Sequence, residues 1–283
     1  MKKRWAYGLF LAVTLVGAVL CRIWLRNAAW EEGGLLTPGH PATYCLLAVV
    51  AVAAVGFFLL GRWTVKDKSF TSYLDAFSLP QKGLLAVYVL AGALMVAGGV
   101  AGLMQWSQNV ELTLSEKVLS VALLPGGAGA ALVGWINAQG QEAKGRFAWP
   151  LLLPAYAGCL WLIAVYQARA TEPNVMGYVF TFLGAVCAVA CCYTVSAFSF
   201  EKPMPMLTVW LSGVALTALG ASLVDDVKAG DTVQILVTLG YLFYLAGQTK
   251  CLLTRVDRPA ELERWTPPRE TEETQEEVQE HEQ

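Results

Sequence analysis

Two arginines, Arg22 and Arg26, stand one helical turn apart at the end of the first long apolar run, and Asp225, Asp226 and Asp231 follow the seventh. Guanidinium groups at i and i+4 share a helix face and could clamp an anion or a lipid headgroup, while clustered carboxylates could hold a cation. The simpler expectation is that the arginines snorkel to the surface and pair with nearby Glu31 or Glu32, and that the aspartates sit in a solvated loop. Cys187, Cys191 and Cys192 place thiols on one span, the first two on one helical face, but no histidine or acid accompanies them there. No metal site is therefore assigned, and the seven cysteines do not read as a disulfide framework, because most fall where cysteine behaves as a small buried hydrophobe. Cys21 and Cys45 come near the same face, so a bridge between them depends on whether their Cβ atoms meet. His40 and His281 fall in a loop and in the tail, and no Asp, Glu, His, Lys or Arg occupies the middle of any apolar run. A proton-coupled carrier keeps such groups at midplane, and a catalytic dyad needs them too. No catalytic residue and no cofactor is assigned.

The most unusual local sequence is Leu124-Pro125-Gly126-Gly127-Ala128-Gly129-Ala130. Proline removes a backbone donor and clashes with the preceding turn, so a helix here kinks or opens. If it opens, Pro125, Gly126 and Gly127, with Gln248 and Thr249 from a later span, form a candidate ligand-binding set at midplane. If it stays closed, the small residues serve helix packing. Gly126, Ala130 and Gly134 then form one ridge, Gly98 and Gly102 a second, and Gly213, Thr217 and Ala221 a third. Packing is the favoured reading.

The elements that must carry these residues are legible from composition. The 283 residues are 56% hydrophobic and only 15% charged, and the charges are segregated, with none between Tyr44 and Leu60 or between Leu84 and Met104. Uncharged runs of about 18 residues or more are what a hydrocarbon layer of roughly 30 Å selects. Lipid leaves a backbone to satisfy its own hydrogen bonds, so the spans are helices, and the fold class is an all-α polytopic membrane bundle. Eight transmembrane helices are expected at about 5–25, 44–63, 84–104, 118–136, 151–167, 175–198, 207–224 and 233–253. Lys2, Lys3 and Arg4 before an apolar stretch resemble a secretory signal, but no small-x-small site follows, so the first span is read as uncleaved.

With the amino terminus inside, fifteen of the 20 Lys and Arg residues fall on inner segments, while Glu31, Glu32, Glu111, Glu116, Glu172, Asp225, Asp226 and Asp231 fall outside. That asymmetry places both termini in the cytoplasm. Tryptophans mark both boundaries, Trp5, Trp63, Trp135, Trp149 and Trp210 inside and Trp24, Trp30 and Trp106 outside, and only Trp161 lies mid-span. Phe70, Tyr73, Leu74 and Phe77 repeat at helical spacing between spans two and three, which suits either a short amphipathic helix on the inner interface or a loop packed on the bundle. The bundle is expected to occupy residues 1–254. Residues 255–283 read as a disordered acidic tail, since Glu270 to Gln283 carries seven glutamates and no Lys or Arg.

These features point to a non-catalytic multi-pass protein of the plasma membrane, bacterial in character, acting as a sensor, assembly or envelope-associated module. Its expected partners are the lipid bilayer and a second membrane protein or copy of itself, with no nucleic acid, because no basic stripe is present. An uncoupled permease for a neutral or amphiphilic molecule is the alternative, and needs a polar cavity reaching midplane between spans three, four and eight. An intramembrane enzyme comes third, and needs the outer acids and arginines gathered in one cleft.

Overall fold

The computed structural model describes residues 2–29, 37, 39–65, 70, 72–79, 81–108, 110–140, 148–169 and 177–257. Among these the chain is helical throughout: α1 (Lys2–Ala28), α2 (Pro41–Val65), α3 (Tyr73–Phe77), α4 (Lys82–Ser107), α5 (Leu114–Gln139), α6 (Trp149–Arg169), α7 (Val179–Ala197), α8 (Pro205–Ala229) and α9 (Thr232–Asp257). All but α3 are long and apolar enough to cross a bilayer, so this is a multi-pass membrane protein. Most helices overrun the expected spans at both ends, because polar residues continue a helix after hydropathy has fallen. Thus α8 runs past Val224 and stops only at Gly230, whose φ of 69° supplies the left-handed cap that a side chain would resist.

Helices α4 to α9 form a closed circuit, each packed against the next and α9 returning to α4, while α1 and α2 attach outside it against α8. Arg4 in the first turn of α1 donates to Thr254 near the end of α9, so both helix ends share one end of the bundle. The acidic segments described lie at the other end. The terminal segment from Arg258, and with it the expected acidic tail, lies outside the described residues, as do Glu31 and Glu32.

Close helix approach follows from small residues. Gly92 of α4 and Gly127 of α5 each present their backbone to the other's carbonyl, Gly126 faces Ala157 of α6, and Gly134 faces the ring of Tyr88. The residues read as one ridge therefore serve two different neighbours, since eight residues advance a helix by about 80° beyond whole turns. Gly98 and Gly102 divide in the same way, toward Val237 of α9 and Ser120 of α5. In α8, Gly213 meets Phe57 of α2, and Thr217 lies 3.4 Å from Thr14 of α1. Helix α5 runs unbroken from Leu114 to Gln139 with Pro125 inside it, exposed on the outer surface of the bundle.

Helix α3 corrects the picture of an interfacial amphipathic segment. Ser72 caps it by accepting from the Asp75 N–H, and Tyr73, Ala76 and Phe77 are buried against the bundle. Phe77 packs edge-on to Phe198, Leu79 N–H donates to the Asn137 carbonyl, and Arg255 donates to the Ser78 carbonyl. The same i, i+3, i+4, i+7 pattern that suits an interface also suits a helix tucked beneath one. Here the aromatic groups find protein rather than headgroups.

Candidate functional site

A membrane helix leaves an ionisable side chain little choice but to find a partner within the bundle. Arg22 is fully buried, and its Nε donates to both oxygens of Asp225 at 3.1 and 2.8 Å while Nη2 lies 2.6 Å from Oδ2. The same guanidinium reaches the Gly177 carbonyl at 3.3 Å and rests 5.2 Å from the centre of the Phe180 ring. Arg26, one turn on and 22% exposed, donates from Nε to Asp225 Oδ1 at 2.5 Å. The arginines pair with Asp225 of α8, while Glu31 and Glu32 lie outside the described residues. One expectation is corrected: Asp225 and Asp226 are buried on a helix rather than solvated in a loop. The cause is that α8 extends one turn beyond its apolar stretch and lies beside α1.

Beside this ion pair lies a recess of about 150 Å³, lined by Glu116, Asp225, Asp226 and Asp231 together with Tyr178, Thr181 and Gln234. Several linings are fixed by helix ends. Glu116 closes a capping box on α5, accepting from the Thr113 N–H and hydroxyl, and Asp231 caps α9 by accepting from the Gln234 N–H. Asp226 accepts from the Thr238 hydroxyl at 3.1 Å. The Gln234 side chain accepts from Trp161 Nε1 at 2.8 Å, and Trp161 stacks on Tyr241 at 5.0 Å. That contact explains the one tryptophan found mid-span, because a buried indole N–H needs an acceptor. Gln234, Thr238, Thr181 and Tyr178 carried no signal in the sequence. Trp161 carried one, since an indole N–H in mid-span requires a buried acceptor.

A second polar cluster sits toward the amino-terminal end. Tyr73 of α3 donates to Asn137 Oδ1 at 2.7 Å, Asn137 Nδ2 donates to the Tyr88 hydroxyl at 3.2 Å, and that hydroxyl lies 3.6 Å from the Cys251 sulfur. Burial first, and then the neighbouring Cys251, push the Tyr73 phenol well above its ordinary range, so it acts as a neutral donor. Gln248 is fully buried beside this cluster, while Thr249 turns its hydroxyl back onto the Leu245 carbonyl. The five residues proposed as a ligand set thus point different ways: Pro125 outward, Gly126 toward α6, Gly127 toward α4, Gln248 into the interior and Thr249 onto its own helix.

The cysteines are free thiols, and Cys21 lies beside Cys45. Among the described residues, no three His, Cys, Asp or Glu side chains are arranged to hold a metal ion. The fold and site together define a polytopic α-helical membrane protein with a buried ion pair under a polar recess at one end. Comparison with protein-family models, with curated proteins and with solved structures returned no match.

Proposed function

We propose that the protein is a non-catalytic sensor module of the plasma membrane that binds a small organic cation in the recess at its acidic end. The observation that carries this reading is the recess itself, which Glu116, Asp225, Asp226 and Asp231 line, with Arg22 and Arg26 held on Asp225 beside it. A cavity of this size holds a guest of about six heavy atoms, as engineered cavities of similar volume hold benzene. The ion pair joins α1 to α8, so a cation competing for Asp225 would loosen α1, which is how occupancy would be passed to a partner membrane protein or a second copy.

Close packing supports this over a permease. Where a midplane route between α4, α5 and α9 would run, Gly92 meets Gly127, Gly98 meets Val237 and Gly240 meets Met95. An enzyme is the second reading, favoured by one specific observation: both arginines contact an acid that lines the recess. Arg22, however, is committed to Asp225, and the carboxylates of the lining oppose a phosphate-bearing substrate.

Putrescine, choline and guanidinium are suitable probes. Each is expected to raise the melting temperature of the detergent-solubilised protein more than sodium chloride at equal ionic strength, and Asp226→Asn is expected to reduce the gain. Equal effects of salt and probe would refute cation binding. Entry of labelled putrescine into proteoliposomes above the rate of empty ones would replace the sensor by a permease.

The orientation proposed here has the amino-terminal end in the cytoplasm, supported by the excess of Lys and Arg on that side. Single cysteines at Glu111 or Asp231 in a cysteine-free background should react with an impermeant maleimide added to intact cells. Cysteines at Lys144 or Lys202 should react only after lysis, and the reverse pattern would invert the molecule.

A further inference from the structure

Gln248 is fully buried, and neither its amide oxygen nor its amide nitrogen has a hydrogen-bond partner. One turn earlier on the same face of α9, the Tyr244 hydroxyl is equally buried and equally without one. The Tyr73 and Tyr244 hydroxyls lie alongside the Gln248 amide, yet none of these contacts reaches hydrogen-bond geometry. A carboxamide offers one acceptor oxygen and two donor hydrogens, and burying all of them unmet is costly in any protein. In a bilayer no solvent is at hand to relieve the cost. The adjoining groups, Tyr73, Asn137, Tyr88 and Cys251, are neutral and already bonded to one another.

We infer that Gln248 and Tyr244 form an internal binding site for an uncharged hydrogen-bonding guest, either water or a small amide- or hydroxyl-bearing molecule, enclosed by α3, α4, α5 and α9. The chemistry of the site selects that class. An open carboxamide and an open phenol present donors and acceptors together, and the groups bonded around them, Tyr73, Asn137, Tyr88 and Cys251, are uncharged. Helix α3 closes the site from the amino-terminal end, since Tyr73 reaches Asn137 and the carbonyl of Ser78 is held by Arg255. This site shares no residue with the recess at the opposite end, so the two proposals stand or fall separately.

The test is a density map of the full chain in lipid nanodiscs, read at Gln248, together with melting of Gln248→Leu. A non-protein peak within hydrogen-bond distance of the amide and of the Tyr244 hydroxyl is expected, as is a melting temperature several degrees lower for the variant. Native mass spectrometry then separates the two sources: a mass increment lost in Gln248→Leu identifies an organic guest, and a peak without an increment identifies water. An amide turned onto the Tyr244 hydroxyl with no additional peak would overturn the site. A Gln248→Leu variant that melts higher than the parent would also overturn it, because removing a truly unmet amide stabilises.

Discussion

Replacing Asp225 with leucine will cost the folded bundle about 3 to 5 kcal/mol, because it removes the carboxylate that the buried Arg22 guanidinium grips through two nitrogens. Replacing Arg22 with methionine will cost much less, about 1 to 2 kcal/mol, because Asp225 keeps Arg26 and the methionine fills apolar space. The asymmetry is the informative part. Asp225 serves two cations, whereas Arg22 meets Asp225, the Gly177 carbonyl and the Phe180 ring face. The double variant should recover most of the loss, since both members of the buried pair are then gone and Arg26, at 22% exposure, can turn outward. Melting of the four proteins in one detergent completes the double-mutant cycle. Equal losses in the two single variants, or strict additivity in the double, would show that the pair is not coupled as its geometry implies.

A leucine at Gly127 is expected to separate α4 from α5 and destabilise the bundle by about 3 kcal/mol, the upper end of what overpacking usually costs. A Cβ there would stand 2.5 Å from the Gly92 carbonyl oxygen and 3.0 Å from the Val96 nitrogen. Both are backbone atoms and cannot rotate away. Gly134→Leu should be nearly as harmful, since the added carbon meets Tyr88 at its Cβ and at 2.9 Å from Cγ. Leucine at Gly83, which has nothing within 4 Å, is the control. Pro125→Ala should be mild, because the proline is exposed and the helix already runs through it. A Gly127→Leu protein that melts like the parent would mean the α4–α5 approach contributes little to the fold.

The fold was legible because a bilayer imposes a length and a polarity on every element that crosses it. The candidate site was much less legible. Hydropathy ends a span at its first charges, so Asp225 and Asp226 fell outside the seventh, although the helix continues to Ala229. The partner of Arg22 is 203 residues away, and only the neighbouring glutamates could be offered from spacing alone. Glycine ridges were recognisable as packing surfaces, but which helix each glycine meets depends on the circuit of helices, which no local pattern encodes. The ambiguity over Phe70, Tyr73, Leu74 and Phe77 had the same origin, for an apolar face does not say whether lipid or protein will cover it.

The distance along the chain between Arg22 and Asp225 sets a problem of timing in biogenesis. A ribosome adding about 5 to 20 residues per second delivers α8 roughly 10 to 40 seconds after α1. Throughout that interval the arginine has entered a membrane that does not yet contain its aspartate. Its place near the far end of α1, six residues before Ala28, lets the side chain wait in the headgroup layer instead of the hydrocarbon. Docking of α8 then draws it inward. Insertion of the seventh span is thereby the event that locks the first into place, and nascent chains halted before Asp225 should hold α1 only loosely.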